Sequence, residues 1–168
     1  MVVVIEGLDG VGKTTFCKEF CRKTDFIYIK GSFTDDLAEK KRRMNQLLEH
    51  LLDEEHNYIY DRITFIDDFV YTMLNKEPNQ LDKYFDIIQL LLSKCTIIHL
   101  TIDEKIRRER FNNRGDEFVT NEMLVEVDKS YKEYYKKLGC DVITIQLSND
   151  LNSDVNNTIK FIKWIYEK

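Results

Sequence analysis

Proline and glycine, the residues that most often mark linkers, are scarce in this sequence. Its 168 residues include one proline, Pro78, and six glycines. Since no Pro-, Gly- or Ser-rich stretch divides the chain, we expect a single domain over residues 1–168, a length that can bury a sizeable core. Long apolar runs are missing too, and the first apolar run has no basic leader. We therefore expect no membrane segment, no signal peptide and a cytoplasmic location.

A surplus of basic residues is also absent. Lysine and arginine number 25 against 30 aspartates and glutamates, a formal net charge of −5, which argues against broad binding to nucleic acid. The four cysteines form no C-x-x-C pair, and the three histidines show no metal-ligand spacing. We accordingly predict buried, reduced thiols and no zinc site.

What the sequence does contain is a phosphate-loop motif near its start. Residues 6–15, EGLDGVGKTT, follow an apolar run and precede a helical pattern, FCKEFCRK. The motif G-x-x-x-x-G-K-[ST] requires this strand before it and this helix after it. A Gly-rich turn with a surface lysine would explain the glycines but not the adjacent Lys-Thr. We therefore predict a cradle for the phosphates of a nucleoside triphosphate.

Each part of the motif has a physical role. Glycines let the main chain curl so that its N–H groups point at phosphate oxygens, beside the positive N-terminal end of the following helix. Lys13 supplies charge to the β- and γ-phosphates, and the hydroxyl of Thr14 is placed to ligate Mg²⁺. The residues predicted to bind the nucleotide are Gly7, Asp9, Gly10, Val11, Gly12, Lys13, Thr14 and Thr15.

Strand and helix patterns alternate along the rest of the chain. Strand candidates lie at residues 1–5, 26–29, 58–60, 95–102 and 142–147. Their alternation with helical patterns predicts an α/β protein, with a five-stranded parallel sheet covered by helices on both faces. Ligands of such sheets bind at the carboxyl ends of the strands. This rule brings together the phosphate loop, residues 30–33 and residues 61–62.

Two residues after the third strand are site candidates, each with an alternative. Asp61 could hold Mg²⁺ directly or through water, or it could cap the helix that starts near Ile63. Arg62 could grip a phosphate with both ends of its guanidinium, or it could pair with a neighbouring carboxylate. The predicted phosphate cradle nearby favours the ligand-binding alternative for both residues.

Four arginines lie within eight residues, at positions 107, 108, 110 and 114. Phosphoryl transfer needs positive charge on the moving phosphoryl group, and arginines on a closing segment can supply it while excluding water. The alternative is a solvated helix whose arginines pair with Glu104 and Glu109. We assign the functional role to Arg110 and Arg114 and leave the other two arginines undecided.

The order of these motifs resembles that of the thymidylate kinase family of nucleoside-monophosphate kinases. Residues 6–15 are very similar to that family's phosphate loop, residues 37–42 (LAEKKR) to its L-A-E-K-x-R helix, and residues 61–62 to its Asp-Arg pair. Residues 100–115 and the final strand VITI are similar as well. Most of the chain is covered, although only the phosphate loop is specific by itself. The resemblance implies a three-layer P-loop nucleotide kinase fold with a short lid, about residues 107–120.

The resemblance also implies a reaction and its residues. It implies transfer of a phosphoryl group from ATP, with Mg²⁺, to a nucleoside monophosphate, in a chain that could form a homodimer. Asp9 would approach the acceptor sugar, while Arg42 and Arg62 would hold the acceptor phosphate. Arg110 and Arg114 would come from the lid, because this phosphate loop has no arginine. The predicted catalytic residues are Lys13, Arg62, Arg110 and Arg114, and the predicted metal-binding residues are Thr14 and Asp61.

The sequence departs from this family where the acceptor base would bind. The family's Arg-Glu-Pro is replaced by residues 30–32, Lys-Gly-Ser, and the helix with its base-stacking aromatic and base-reading arginine has no counterpart between residues 52 and 57. Ile66 stands where the family has a small hydroxyl residue. Aromatics could rebuild the pocket, although aromatics at helical spacing are more often core residues; these are Phe33, Phe65, Phe69 and Tyr71. The predicted acceptor-binding residues are Asp9, Lys30, Phe33, Arg42, Arg62 and Phe65.

The sequence therefore predicts an ATP- and Mg²⁺-dependent kinase of a (deoxy)nucleoside monophosphate, without nucleic-acid or membrane partners. One alternative is a kinase of a deoxynucleoside or another small molecule on the same fold. A nucleotide switch protein is a weaker alternative, because residues 75–78 (NKEP) lack the aspartate of a guanine-reading N-K-x-D motif. A non-catalytic nucleotide-binding subunit is a third, and the intact Lys13 and Thr14 argue against it.

Overall fold

The computed structural model describes residues 1–114 and 120–167. Five strands are present in this part of the chain: β1 (Val2–Glu6), β2 (Phe26–Lys30), β3 (Asn57–Asp61), β4 (Thr96–Ile102) and β5 (Val142–Leu147). The helices between and after them are α1 (Lys13–Lys23), α2 (Leu37–Leu52), α3 (Thr64–Asn75), α4 (Phe85–Leu92), α5 (Glu104–Arg114), α6 (Asn121–Leu138) and α7 (Leu151–Tyr166). A short 3₁₀ turn, Asp82–Tyr84, precedes α4.

All strands pair in parallel, in the order β2-β3-β1-β4-β5. The central strand β1 is buried along its whole length, as its unbroken run of valine and isoleucine indicates for a strand covered on both faces. The fold predicted from the sequence, a five-stranded parallel sheet between two layers of helices, is confirmed.

Each face of the sheet carries its own hydrophobic core. Val2 and Val4 point to one face and join side chains of α2, α3, α4 and α6, whereas Val3 and Ile5 point to the other and join side chains of α1 and α7. The alternation follows from the two-residue period of a strand. Full burial of each such aliphatic side chain contributes roughly 1.5–3 kcal/mol before opposing entropy is counted. The two cores therefore pack against both faces of β1, the central strand, which leads directly into the phosphate loop.

The carboxyl ends of β1, β2 and β3 lie side by side, as the position of ligands in such sheets requires. Ile5 and Lys30 both stand in register with Asp61, and the N–H of Gly31 donates to the carbonyl of Asp61 at 2.9 Å. A Cβ on Gly31 would lie 2.5 Å from the carbonyl oxygen of Arg62, so only glycine permits this close approach of the two chain segments. The loop after β2 is thereby fixed against the Asp-Arg pair.

Helix α2 buries one of its lysines. A basic run on a helix, such as residues 40–43, usually forms a solvated face, but the side chain of Lys40 is only 3% exposed and pairs with Asp68 of α3 at 2.6 Å. Leu37, Met44 and Leu47 all pack in the core beneath the sheet edge, and Lys40 lies between them on the same side of the helix. The helical period accounts for the burial of the apolar residues of α2, but it does not predict that the lysine between them is buried as well.

Candidate active site

The phosphate loop has the backbone geometry that its glycines allow. Gly7, Gly10 and Gly12 all have positive φ, and α1 begins at Lys13 directly after Gly12. A side chain at position 7 would collide with the carbonyl oxygen of Leu100 on β4, so this turn requires glycine. The loop therefore curls tightly between β1 and the N-terminus of α1, where backbone N–H groups and the helix dipole favour an anion.

Lys13 lies inside this curl. Its side chain is buried, and Nζ donates to the carbonyl oxygens of Gly7 at 2.6 Å and Leu8 at 2.8 Å. Burial, and next the positive charge of Arg62, lower the pKa of Lys13 from 10.5 to about 8. An anionic phosphate at the loop would favour the charged form of this lysine, which is the electrostatic property that the predicted role needs.

Thr14 and Asp61, the two predicted metal-binding residues, meet across the carboxyl edge. The hydroxyl of Thr14 donates to Oδ2 of Asp61 at 2.6 Å, and the hydroxyl of Tyr28 donates to the same oxygen at 2.8 Å. The alternative role of Asp61 as a helix cap is wrong, because the N-cap position of α3 is Ile63 and no side chain caps it.

The paired hydroxyl and carboxylate have the chemistry of a Mg²⁺ site. Both groups supply hard oxygen ligands, and Mg²⁺ at phosphates is commonly held by one or two protein groups together with phosphates and waters. Among the described residues, no group of three or more His, Cys, Asp or Glu side chains could form an all-protein metal site. Thr14 and Asp61 thus fit a metal carried by a nucleotide, and that assignment remains a prediction.

Arg62 occupies the centre of the site in an uncommon backbone conformation. Its φ is 72°, a left-handed value that costs a non-glycine residue energy, and its N–H donates to the carbonyl of Ile5 at 3.0 Å. The guanidinium pairs with Asp9 of the phosphate loop and, at 3.2 Å, with Asp67 of α3. The structure thus brings together Asp9 and Arg62, and the ion-pair alternative for Arg62 describes its present contacts.

A cavity of about 360 Å³ lies on the outer side of the phosphate loop. Arg110 of α5 lines it and donates to the carbonyl of Val11 at 3.3 Å. Residues at the end of β5 and just after it, between 147 and 154, also line the cavity, and sequence reasoning missed them. The turn residues that follow this strand could have indicated its role, because ligands of parallel sheets bind at the carboxyl ends of the strands. We call this space the donor cavity.

The side chain of Arg114 and residues 115–119 lie outside the described residues. Of the two undecided arginines, Arg107 is buried and Arg108 is exposed, and both pair with Glu104, at 2.8 Å and 2.7 Å. Those two contacts agree with the structural alternative proposed from sequence.

A second cavity, of about 310 Å³, lies at the carboxyl ends of β2 and β3. The predicted residues Lys30, Arg42 and Arg62 all line it, and we call it the acceptor cavity. Arg42 leans outward, with 64% of its side chain exposed, and pairs with Glu39 at 2.7 Å. Its neighbour Arg43, which sequence reasoning missed, also lines the cavity.

Arg43 is anchored more firmly in the cavity than Arg42. Its guanidinium donates to Oγ1 of Thr64 at 2.6 Å and to Oγ of Ser32 at 2.9 Å. Arg43 therefore connects the loop after β2 to the start of α3. No sequence signal separates the two adjacent arginines, because only the rotation of α2 decides which one turns inward.

The aromatic residues divide between cavity and core. Phe65 borders the acceptor cavity but is completely buried in the core, and Phe69 stacks on Tyr134 at 4.9 Å between ring centroids. Phe65 is thus a core residue at the edge of the acceptor cavity, and its contact with an acceptor remains a prediction. Phe33, by contrast, is 61% exposed and available to a ligand.

A buried acidic cluster behind the phosphate loop was also missed. Glu6 at the end of β1 accepts from the N–H of Ile63 at 2.7 Å, and the hydroxyl of Tyr131 donates to Glu6 at 3.2 Å and to Asp67 at 2.8 Å. Burial, and next the charge of Asp67, raise the pKa of Glu6 from 4.5 to about 8. The cluster contacts Arg62 through Asp67. In the sequence, the one indication of this cluster was an acidic residue at the end of a buried strand.

Comparison with known proteins places these features in a family. The family model "ATPase family associated with various cellular activities (AAA)" matches residues 3–161. A thymidylate kinase of Campylobacter hominis is 23% identical over 97% of this chain and 100% of its own length. The solved structure of the YorR protein of Bacillus subtilis, in complex with phosphorylated GDP, has a TM-score of 0.75 at 17% identity, covering 100% of this chain and 99% of that chain.

Deoxyadenosine kinase of M. mycoides, solved with dCMP and dCDP, has a TM-score of 0.66 at 20% identity, covering 97% of this chain and 99% of that chain. Together, the comparisons confirm the resemblance to thymidylate kinases, the P-loop kinase fold and the assignment to phosphotransferase enzymes. Within the described residues, no helix is long and apolar enough to cross a membrane.

Proposed function

We propose that this chain, which belongs to the ATPase family associated with various cellular activities (AAA), transfers the γ-phosphoryl group of ATP to a nucleoside monophosphate. The observation that carries this proposal is the arrangement of two cavities around one centre. Residues 10–12 of the phosphate loop line the donor cavity, and Arg42, Arg43 and Arg62 line the acceptor cavity. The two sides are joined by the ion pair of Arg62 with Asp9 of the loop. A cavity rich in guanidinium groups suits an acceptor that carries a phosphate.

We assign the site residues roles that follow from their positions. Lys13 neutralises the β- and γ-phosphates, while Arg110 approaches them from α5 and Arg114 from the lid predicted at about residues 107–120. Thr14 and Asp61 hold Mg²⁺, which supplies further charge neutralisation when bound. Asp9 orients the acceptor sugar. Such a site works by positioning and electrostatics, without a covalent intermediate.

A nucleoside kinase is the second candidate, and one observation favours it. Arg62 already has two carboxylate partners, Asp9 and Asp67, and Arg42 is paired with Glu39. An acceptor phosphate would have to compete with these pairs, whereas an unphosphorylated acceptor would not. The fold shared with a deoxyadenosine kinase is compatible with this candidate.

A coupled assay of ADP release decides between the candidates. ATP and Mg²⁺ are supplied with each common nucleoside monophosphate and, separately, with each nucleoside. Turnover with monophosphates alone supports the proposal, and a preference for nucleosides supports the second candidate. Background rates with every acceptor would reject both and leave a non-catalytic nucleotide-binding protein.

Other features belong to this proposal and await their own tests. They are a single domain over residues 1–168, a homodimer, a cytoplasmic location and no nucleic-acid partner. Sedimentation velocity at several protein concentrations measures the oligomeric state directly.

A further inference from the structure

A third cavity, smaller than the other two, lies beside the acceptor cavity. Its volume is about 120 Å³. Both cavities are lined by the same three segments: the loop after β2, helix α2 and helix α3. The acceptor cavity is lined by Ser32, Arg43 and Phe65 of these segments, and the smaller cavity by Phe33, Lys40 and Asp68. Three residues of helix advance about 4.5 Å along its axis. The smaller space is thus next to the acceptor cavity, and we call it the inner cavity.

Tyr71 connects the inner cavity to the centre of the site. It lines this cavity one turn of α3 beyond Asp68. Burial raises the pKa of Tyr71 to about 12, and the charges of Asp9 and Arg62 also act on its hydroxyl. Tyr71 therefore lies within electrostatic range of the pair assigned to the acceptor's sugar and phosphate. Since Arg62 lines the acceptor cavity and the inner cavity adjoins it, an acceptor held at Arg62 would extend its base toward the inner cavity.

The wall of the inner cavity contains an incompletely satisfied ion pair. Nζ of Lys40 donates to Oδ1 of Asp68 at 2.6 Å, and both side chains are almost completely buried. Oδ2 of Asp68 has no hydrogen-bond partner among the described residues. A buried acceptor without a donor is costly. A ligand donor in this cavity would remove that cost.

We propose that Asp68 and Lys40 read the base of the acceptor nucleotide, and that this base is a pyrimidine carrying an exocyclic amino group, as in cytidine nucleotides. This inference rests on the proposed function. The amino group donates to Oδ2 of Asp68, and the adjacent ring nitrogen accepts from Nζ of Lys40. The aspartate and lysine thus form an acceptor–donor pair that matches the donor–acceptor edge of cytosine.

The charge and size of the cavity select this base over others. Asp35 and Glu77 also line it, so carboxylates outnumber the single lysine. Thymine and uracil would place a carbonyl oxygen where cytosine has its amino group, and this acceptor would face carboxylate oxygens. A cavity of about 120 Å³ suits one ring better than the two rings of a purine. Phe33, exposed at the cavity wall, offers its ring face to the base.

The alternative is that Lys40 and Asp68 only join α2 to α3. A structural pair would change stability and all acceptors alike, whereas a base reader changes the ratio between bases. The discriminating quantity is therefore the ratio of kcat/KM for dCMP to that for dUMP, two acceptors that differ at the edge of the pyrimidine ring. We expect the wild-type protein to prefer dCMP at least tenfold.

Two variants test the assignment against this ratio. Asp68→Asn leaves a buried lysine without a carboxylate and could fail to fold, so Lys40→Met/Asp68→Leu removes both charges and keeps an apolar wall. In each folded variant we expect the ratio to fall at least tenfold, with KM for dCMP rising more than kcat falls. Asp86→Asn, at an exposed position of α4, is the matched control and should leave the ratio unchanged.

The outcomes separate this inference from the proposed function. Equal use of dCMP, dUMP and dTMP by the wild-type protein overturns the base assignment but leaves the kinase intact. An unchanged ratio in the double variant overturns the role of the pair in the same way. Absence of turnover with every nucleoside monophosphate rejects the proposed function itself, and the base assignment with it.

Discussion

The donor and acceptor sides of this site are built in different ways. On the donor side, residues 7–15 supply the loop, its glycines and Lys13 from one continuous segment, and the backbone itself forms the cradle. On the acceptor side, side chains from β2, α2 and α3 converge, and most are already paired with carboxylates or hydroxyls. A site made of backbone tolerates sequence divergence elsewhere. A site made of side chains can change its ligand by changing a few of them.

This difference accounts for where the chain departs from the thymidylate kinases. The phosphate loop keeps the motif of that family, whereas the region that would read the base lacks the family's helix and contains a buried Lys40–Asp68 pair. The phosphates of the donor are common to every reaction of such a kinase, so only the base-reading side has to differ between substrates. The comparison predicts which substitutions affect every acceptor and which affect only some.

The largest effect is expected at Lys13, which serves the donor side alone. Lys13→Ala removes the buried charge inside the loop and should lower kcat by roughly 10²–10³-fold with every acceptor. ADP release measures this loss, and Lys18→Ala, an exposed lysine on the same helix, is the matched control. Equal activity of the two variants would contradict the assigned role.

Arg62 should separate phosphorylated from unphosphorylated acceptors. Arg62→Ala removes a charged group that we assign to the acceptor phosphate, so kcat/KM for a monophosphate should fall roughly 10–100-fold, the effect of one charged hydrogen bond. KM for ATP should change little. Arg22→Ala, whose side chain is 70% exposed, controls for loss of an arginine. A larger loss with nucleosides than with monophosphates would favour the second candidate function.

Arg43 and Arg42 test whether the structure or the family resemblance places the acceptor contact correctly. Arg43 is anchored inside the acceptor cavity, whereas Arg42 leans outward. We expect Arg43→Ala to raise KM for the acceptor by about tenfold, roughly 1.4 kcal/mol, and Arg42→Ala to raise it less. Steady-state kinetics with varied acceptor measure both. The reverse order would mean that Arg42, as the family resemblance implies, makes the main contact with the acceptor.

The smallest effect on turnover is expected at Glu6, which affects stability instead. The pKa of Glu6 is raised from 4.5 to about 8, so the folded state favours the neutral carboxyl group. The stabilisation of the folded state by this group is therefore complete below about pH 4.5, and it is lost as the pH rises through 8. Glu6→Gln removes the titration and should flatten the fall of unfolding free energy between pH 5 and 8, by at most about 1.4 kcal/mol per pH unit. Urea unfolding at several pH values measures the slope.

Glu126→Gln, at an exposed position of α6, is the control for that experiment and should retain the wild-type slope. A Glu6→Gln protein with an unchanged slope would mean that Glu6 titrates normally in the folded protein.

Much of the fold, and the edge of the sheet where the candidate site lies, were predictable from sequence. The five strands and the meeting of residues 30–33 with Asp61 and Arg62 followed from hydrophobic runs and from the rule for parallel sheets. The complete burial of Phe65 was not anticipated, and Arg43 and Glu6 were missed. In each case the deciding factor was a contact with a residue distant in sequence, which periodicity along one element does not contain.

By itself, the sequence determined the phosphate loop, the alternation of strands and helices, and hence the edge of the sheet where ligands bind. These features depend on local backbone preferences and on the burial period of each element, and both are encoded by neighbouring residues. Only the tertiary structure decided that Lys40 lies buried against Asp68, that Arg43 rather than Arg42 is anchored in the cavity, and that Tyr131 joins Glu6 to Asp67. Those arrangements depend on how α2, α3 and α6 pack on the sheet, because packing fixes which polar groups lose water and must find partners.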